Sequence, residues 1–226
     1  MWPLSRFSAA IRVSFREGQN QTLMEQDERE ETVLMECCGS SHPFDSCHVS
    51  MTWRPEEIRC FIIGENPGSP GKPYFYDPIP SYGRDQVEVR RRLLPALVAA
   101  KLINSPTREA FRESGFFFDH AIRCQLGQQV VRVEGYLAKR YQSSLARRAT
   151  HLQPWIEVAS KVWMIGYVAL AAVTHLYHRE IGWLDAIPST GQELNSKFFV
   201  SPYFTRFMKD DVVTAITERF KTFLQR

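Results

Sequence analysis

The chain lacks any apolar run approaching the length of a membrane span, so no transmembrane helix is expected. It also lacks a CxxC pair, its five cysteines being Cys37, Cys38, Cys47, Cys60 and Cys124. An odd count without a secretory signal argues against a disulfide framework and for a reducing compartment, so a cytoplasmic location is expected. Zinc held by Cys37, Cys38, Cys47 and His42 or His48 is disfavoured, because adjacent cysteines make poor chelating geometry. The Walker pattern GxxxxGK[ST] is missing, which argues against a P-loop nucleotide site. No repeat at a solenoid period is evident.

What is present suits an ordinary globular chain. Its 226 residues are 44% hydrophobic and 23% charged, enough for one domain with a full core plus a tail, or at most two small ones. Charge is unevenly spread: residues 1–56 hold five Lys and Arg against nine Asp and Glu, and residues 57–226 hold 23 against 16. A basic body is compatible with a phosphate-backbone partner. Arg6, Arg12 and Arg16 among serines resemble a transit peptide only weakly, and a local helix or ragged terminus is the preferred reading. Residues 17–36 are polar and acidic, fitting a mobile segment or surface helix, and the turn-rich residues 40–48 fit an arm packed on the body. The expected division is an N-terminal extension over 1–56, partly mobile, and an α/β domain over 57–226.

From Glu57 onward the patterning is regular. Ile58–Ile63 is a short apolar run ending in Gly64, as for a strand buried on both faces. Val87, Leu94, Leu97, Val98 and Leu102 share a helical face, with Arg90, Arg91 and Arg92 largely elsewhere and Pro95 as a kink. Gly115 opens the aromatic strand FFFDHAIRC. A helix is predicted over 134–152 with Pro154 near its end, a third strand at Lys161–Ile165, and a helix at Val168–Tyr177. A fourth strand follows at Lys197–Val200, then a closing helix with Val212, Ile216, Phe220 and Leu224 on one face. This alternation calls for a single domain with a central four-stranded parallel sheet flanked by helices.

Three strand ends carry chemically pointed residues: Gly64-Glu65-Asn66-Pro67-Gly68, then Asp119-His120, then Ser201 to Arg206. A parallel sheet brings its strand ends to one edge, the usual ligand side of an α/β fold. Glu65 can serve as general base or electrostatic stabiliser, or be a carboxylate beside a turn. Asn66 can orient water or brace its own turn. Phe75 offers an aromatic face or packs in the core. Ser69, Gly71 and Lys72 suit phosphates through backbone N–H and positive charge, or form a solvated loop tip.

In this order and on these elements, the motifs resemble the uracil-DNA glycosylase superfamily. Its members carry GxDP, GxNPG or GEAPG on the first strand to activate or position water, followed by an aromatic that stacks on the flipped base. GENPG at 64–68 combines two variants, with Glu65 matching the acid of one and Asn66 the amide of the other. PYF at 73–75 is similar to the stacking aromatic, with Tyr74 beside Phe75. GFFFDHAIRC at 115–124 parallels GVYITNxVKC of the iron-sulfur members, SKVWMIGYVAL at 160–170 resembles the third strand and its glycine, and VSPYFTRF at 200–207 resembles the HPS loop that enters the minor groove. The resemblance covers roughly residues 57–226. It implies a monofunctional DNA glycosylase, monomeric and without cofactor, that flips a deaminated base, uracil first among them, onto Phe75. No Lys occupies a motif position, so no lyase step is expected.

Departures bear on specificity. The family's base-reading Asn is His120 here, preceded by Asp119; a neutral imidazole also offers one donor and one acceptor, with different reach, or His120 is a satisfied core histidine. The usual His of the fourth strand is Ser201, which can hydrogen-bond a phosphate or base oxygen but cannot become a cation, or is a plain turn residue before Pro202. Tyr203 and Phe204 are candidate wedges or, equally, core at the helix junction, and Arg206 is a candidate phosphate or minor-groove contact. Cys124 lacks the partners a cluster requires, so none is expected. The alternatives are a catalytically silent member that binds DNA or protein through the same groove, and an unrelated α/β protein binding a phosphate-bearing small molecule.

Overall fold

The computed structural model describes residues 52–65, 75–76, 88–122, 142–204 and 207–226, all within the unit spanning Pro43–Arg226. The readings made for the acidic segment, the 40–48 arm and the N-terminal cysteines lie outside these residues. In chain order the elements are β1 (Cys60–Gly64), α1 (Glu88–Ala99), α2 (Arg108–Glu113), β2 (Phe116–His120), α3 (Gln142–Arg148), a 3-10 turn (Thr150–Leu152) and α4 (Gln153–Val158). Then come β3 (Lys161–Ile165), α5 (Tyr167–Leu176), β4 (Gln192–Glu193), β5 (Phe198–Ser201) and α6 (Asp210–Leu224). Among the described residues, no helix is long and apolar enough to cross a membrane.

The sheet has five strands in the order β2-β1-β3-β5-β4, not the four expected. Four are parallel as the alternation of elements requires. The fifth, β4, is antiparallel to β5 and only two residues long. Two polar residues carry no periodicity, so nothing in the sequence marks them as a strand.

All five residues of β1 are buried, because helices cover both faces of a parallel sheet. Registers pair Phe61 with Phe117 and Val162, and Ile62 with Phe118 and Trp163. Alternation then sorts the side chains. Phe61, Ile63, Phe117, Asp119, Val162 and Met164 share one face, where Phe117 meets Trp155 of α4 edge-on at 5.9 Å. Ile62, Phe116, Phe118, His120, Trp163 and Ser201 share the other, where Phe116 stacks on Phe111 of α2 at 5.4 Å and Trp163 on Phe220 of α6 at 4.1 Å.

Helix boundaries depart from the sequence pattern in instructive ways. The predicted helix at 134–152 is described only from Gln142, and there α3 gives way to the 3-10 turn and α4. Pro154 lies in the first turn of α4 rather than terminating a helix, a position where its missing N–H costs nothing. On α6 the buried stripe is Val213, Ile216, Thr217, Phe220 and Phe223, with Val212 and Leu224 at its half-buried margins. Arg90 is buried, not on the polar face of α1, and its Nη1 donates to the Phe75 carbonyl at 2.7 Å.

β2 is an outer strand, so its outward N–H groups need partners. Phe118 N–H donates to the Tyr76 hydroxyl at 2.7 Å. Tyr76 is held in turn by Arg108, which donates to its carbonyl, and by Trp53, which stacks on its ring at 5.6 Å. Tyr76→Phe removes the acceptor and leaves a buried N–H unpaired, which costs about 1–3 kcal/mol. Chemical denaturation should register that loss, and an unchanged midpoint would refute the assignment.

Candidate active site

Glu65 leaves β1 at the carboxyl edge, between β2 on one side and β3 on the other, where successive connections run in opposite directions, the kind of point at which α/β sheets ordinarily bind ligands. Its side chain is 9% exposed. Oε1 accepts from the Val168 N–H at 3.2 Å, and the Tyr167 N–H also bonds the carboxyl. These are orphan donors of the first turn of α5, whose N-cap is Gly166 and carries no side-chain cap. Glu65 thus supplies from another strand the oxygen that a local Ser or Asp ordinarily provides. Gly166 makes this possible: its φ is +91°, and a Cβ there would stand 2.2 Å from Glu65 Oε1.

Burial pushes the Glu65 carboxyl from its ordinary 4.5 up to about 7, against the pull of the two N–H donors. A carboxyl that titrates near neutrality at a strand end can act as a general base at physiological pH.

Phe75 and His120 are brought together on the opposite face, through Phe118. Phe75 stacks on Phe118 at 4.2 Å, and the His120 ring meets Phe118 edge-on at 4.9 Å. Gly64 permits this, since a Cβ there would lie 2.6 Å from the Phe118 ring. Phe75 itself is 1% exposed, with further ring contacts to Tyr76 and Phe111. It sits as a core residue whose carbonyl Arg90 fixes.

Asp119 and His120 are adjacent in sequence yet lie on different faces. The buried Asp119 carboxylate accepts from the His120 N–H at 2.8 Å and stands 3.9 Å from Nε2 of His151. Ser201 is fully buried and its Oγ accepts from the Trp163 indole N–H at 2.8 Å. The serine hydroxyl therefore serves the aromatic cluster under α6. Phe204 is also fully buried, edge-on to Trp163 at 5.9 Å, so its ring faces the core and not a ligand. The exposed aromatic of this loop is Phe207, at 70%, with Tyr203 half-buried. Asn66, Ser69, Lys72, Tyr74 and Arg206 lie outside the described residues.

Sequence reading missed Arg90, His151 and Phe207. One arginine among the three at 90–92 and a single His near the end of the predicted 134–152 helix carry no local signal. Phe207 stood in the quoted loop motif, but only the burial of Phe204 singles it out. Among the described residues, no group of His, Cys, Asp and Glu could hold a metal ion. No family model and no curated protein matches this chain.

Two variants test the Glu65–Gly166 contact. Gly166→Ala forces a side chain into a positive-φ position, which alone costs roughly 1–3 kcal/mol; the contact with Glu65 adds to that, and a thermal melt within a degree of the parent would refute the packing. Because the folded Glu65 binds its proton more tightly than the unfolded chain, stability is fully present below the ordinary carboxyl range and falls as pH rises through about 7. That penalty is on the order of 3 kcal/mol by pH 8. Glu65→Gln keeps an acceptor and removes the charge, so it should be the more stable protein at pH 8 and lose the advantage at pH 4. Parallel denaturation curves at both pH values would contradict this.

Proposed function

We propose that this chain is a monofunctional DNA glycosylase that hydrolyses the N-glycosidic bond of a flipped, deaminated base, with uracil as the favoured substrate, in base excision repair. The observation that carries this reading is Glu65, a buried carboxyl with a pKa near neutrality at the strand-order reversal of an α/β sheet. In the reaction, the Glu65 carboxylate takes a proton from water as the water oxygen bonds to C1′ of the sugar. The C1′–N bond breaks and its electron pair leaves with the base, which is then protonated by solvent. Asn66 holds the water or shares that task with Glu65. His120, half-exposed beside Phe118, presents one donor and one acceptor to the base edge. Phe75 and Ser201 support this wall from within the core.

The partner is DNA, bound by a monomer. Ser69, Lys72 and Arg206 meet phosphates, and Tyr203 and Phe207 meet the opened stack. The excess of 23 basic over 16 acidic residues in 57–226 supports such a partner, with affinity that falls as salt rises.

The direct test incubates the protein with single- and double-stranded oligonucleotides carrying uracil, hypoxanthine or xanthine, followed by alkaline cleavage. Alkali-labile sites are expected, with a rate that climbs as pH rises through about 7, because the base must be deprotonated. Glu65→Gln should slow the reaction by roughly 10²–10⁴-fold. Absence of scission with every lesion at high enzyme excess would sink the proposal.

Two observations favour a second reading. Phe75 is 1% exposed and the Ser201 hydroxyl is taken by an indole, as in a fold that binds DNA or a protein without catalysis. Salt-sensitive gel shifts without base release would establish that alternative.

A further inference from the structure

His120 closes β2 with its main-chain groups directed away from β1, since it is the next residue, Ala121, whose N–H reaches the Gly64 carbonyl at 2.8 Å. Both outward groups are occupied by side chains. Asp119 Oδ1 accepts from the His120 N–H at 2.8 Å. His151, in the 3-10 turn before α4, places Nε2 3.0 Å from the His120 carbonyl oxygen. A carbonyl only accepts, so the network assigns the proton to Nε2. The same nitrogen stands 3.9 Å from Asp119 Oδ2, and the Asp119 side chain is 2% exposed. The imidazole of His120 leaves the strand on the other face and meets Phe118 edge-on at 86°.

We infer that His151 is a positioning residue for His120. With Asp119 on its N–H and His151 on its carbonyl, the His120 backbone is fixed from both sides, and the Phe118 edge limits the ring that remains. The direction in which His120 presents its nitrogens is therefore set from across the sheet by a residue 31 positions later in the chain. As a statement about the His120 backbone this stands alone; as a statement about base reading it rests on the glycosylase function proposed above.

The experiment compares full-length parent, His151→Ala, His151→Gln, His151→Asn, His120→Ala and the His120→Ala/His151→Ala double variant. Imidazole resonances are read by NMR, and single-turnover rates are taken on uracil- and hypoxanthine-containing oligonucleotides. His151→Ala should move the His120 ring signals while those of His175 and His178 stay. His151→Gln, whose longer amide can still donate to the carbonyl, should restore them, and the shorter His151→Asn should not. On substrate, His151→Ala should lower the rate by roughly 10- to 100-fold, with base discrimination falling to that of His120→Ala, and the double variant should be no worse than His120→Ala. His120 signals unmoved in a folded His151→Ala protein overturn the inference. If that variant fails to fold, identical His120 signals in the Gln and Asn variants overturn it. Shifted His120 signals in a protein whose parent releases no base leave the positioning intact and remove the glycosylase function. Additive losses in the double variant, or full rate and discrimination in His151→Ala, overturn the role in base reading.

Discussion

The contact between the Glu65 carboxyl and the first turn of α5 is the constraint on which the carboxyl edge depends. It ties the end of β1 to the start of the helix after β3, across the point where the sheet order reverses. A helix start needs acceptors for its orphan N–H groups, and a buried carboxylate needs donors. Each need is met by the other, and only a glycine at 166 leaves room for the meeting. The match is incomplete, because two N–H donors do not offset the loss of water, and the carboxyl holds its proton to about pH 7.

Around this contact the sheet acts as a partition. One face carries the Asp119–His151 pair, and the other carries Phe75, Phe118 and His120. The aromatic filling on the second face lies in two clusters under the helices, one with Phe111 on Phe116 and Phe75 on Phe118, the other with Trp163 on Phe220. Such packing tolerates little displacement, so polar groups that enter it are anchored. Arg90 enters to hold the Phe75 carbonyl and Ser201 to hold the Trp163 indole. Both are polar residues whose role is to keep aromatic rings in place.

The parallel strands were legible because their signal is local: a run such as CFIIG or FFFDH has no solvent face to conceal. So was Glu65 as a strand-end acid, and the glycine before α5. What was illegible depends on pairing across the chain. The two-residue β4 exists only because β5 lies beside it. Arg90 reads as a polar-face residue until the Phe75 carbonyl is placed within reach. Ser201 and Phe204 sit in a loop motif that suggests contact with a ligand, yet Trp163 claims both. Asp119 and His120 read as a pair, and the two-residue period of a strand sends them to different faces. Local pattern identifies elements, whereas the allegiance of an individual polar side chain is decided by partners tens of residues away.

Glu65 also departs from what stability alone would select. A glutamine could accept from the same N–H groups without the cost of a buried charge above neutral pH, and a serine or aspartate at position 166 would cap α5 locally. The arrangement instead spends a positive-φ glycine and a destabilised carboxylate to keep an ionisable group at the strand-order reversal. Violations of local rules that leave a titratable group poised near neutrality are the kind that functional sites retain. By the same reasoning the Trp163–Ser201 pair is architecture: it satisfies every local rule, buries its polar atoms fully and holds nothing in reserve for a ligand.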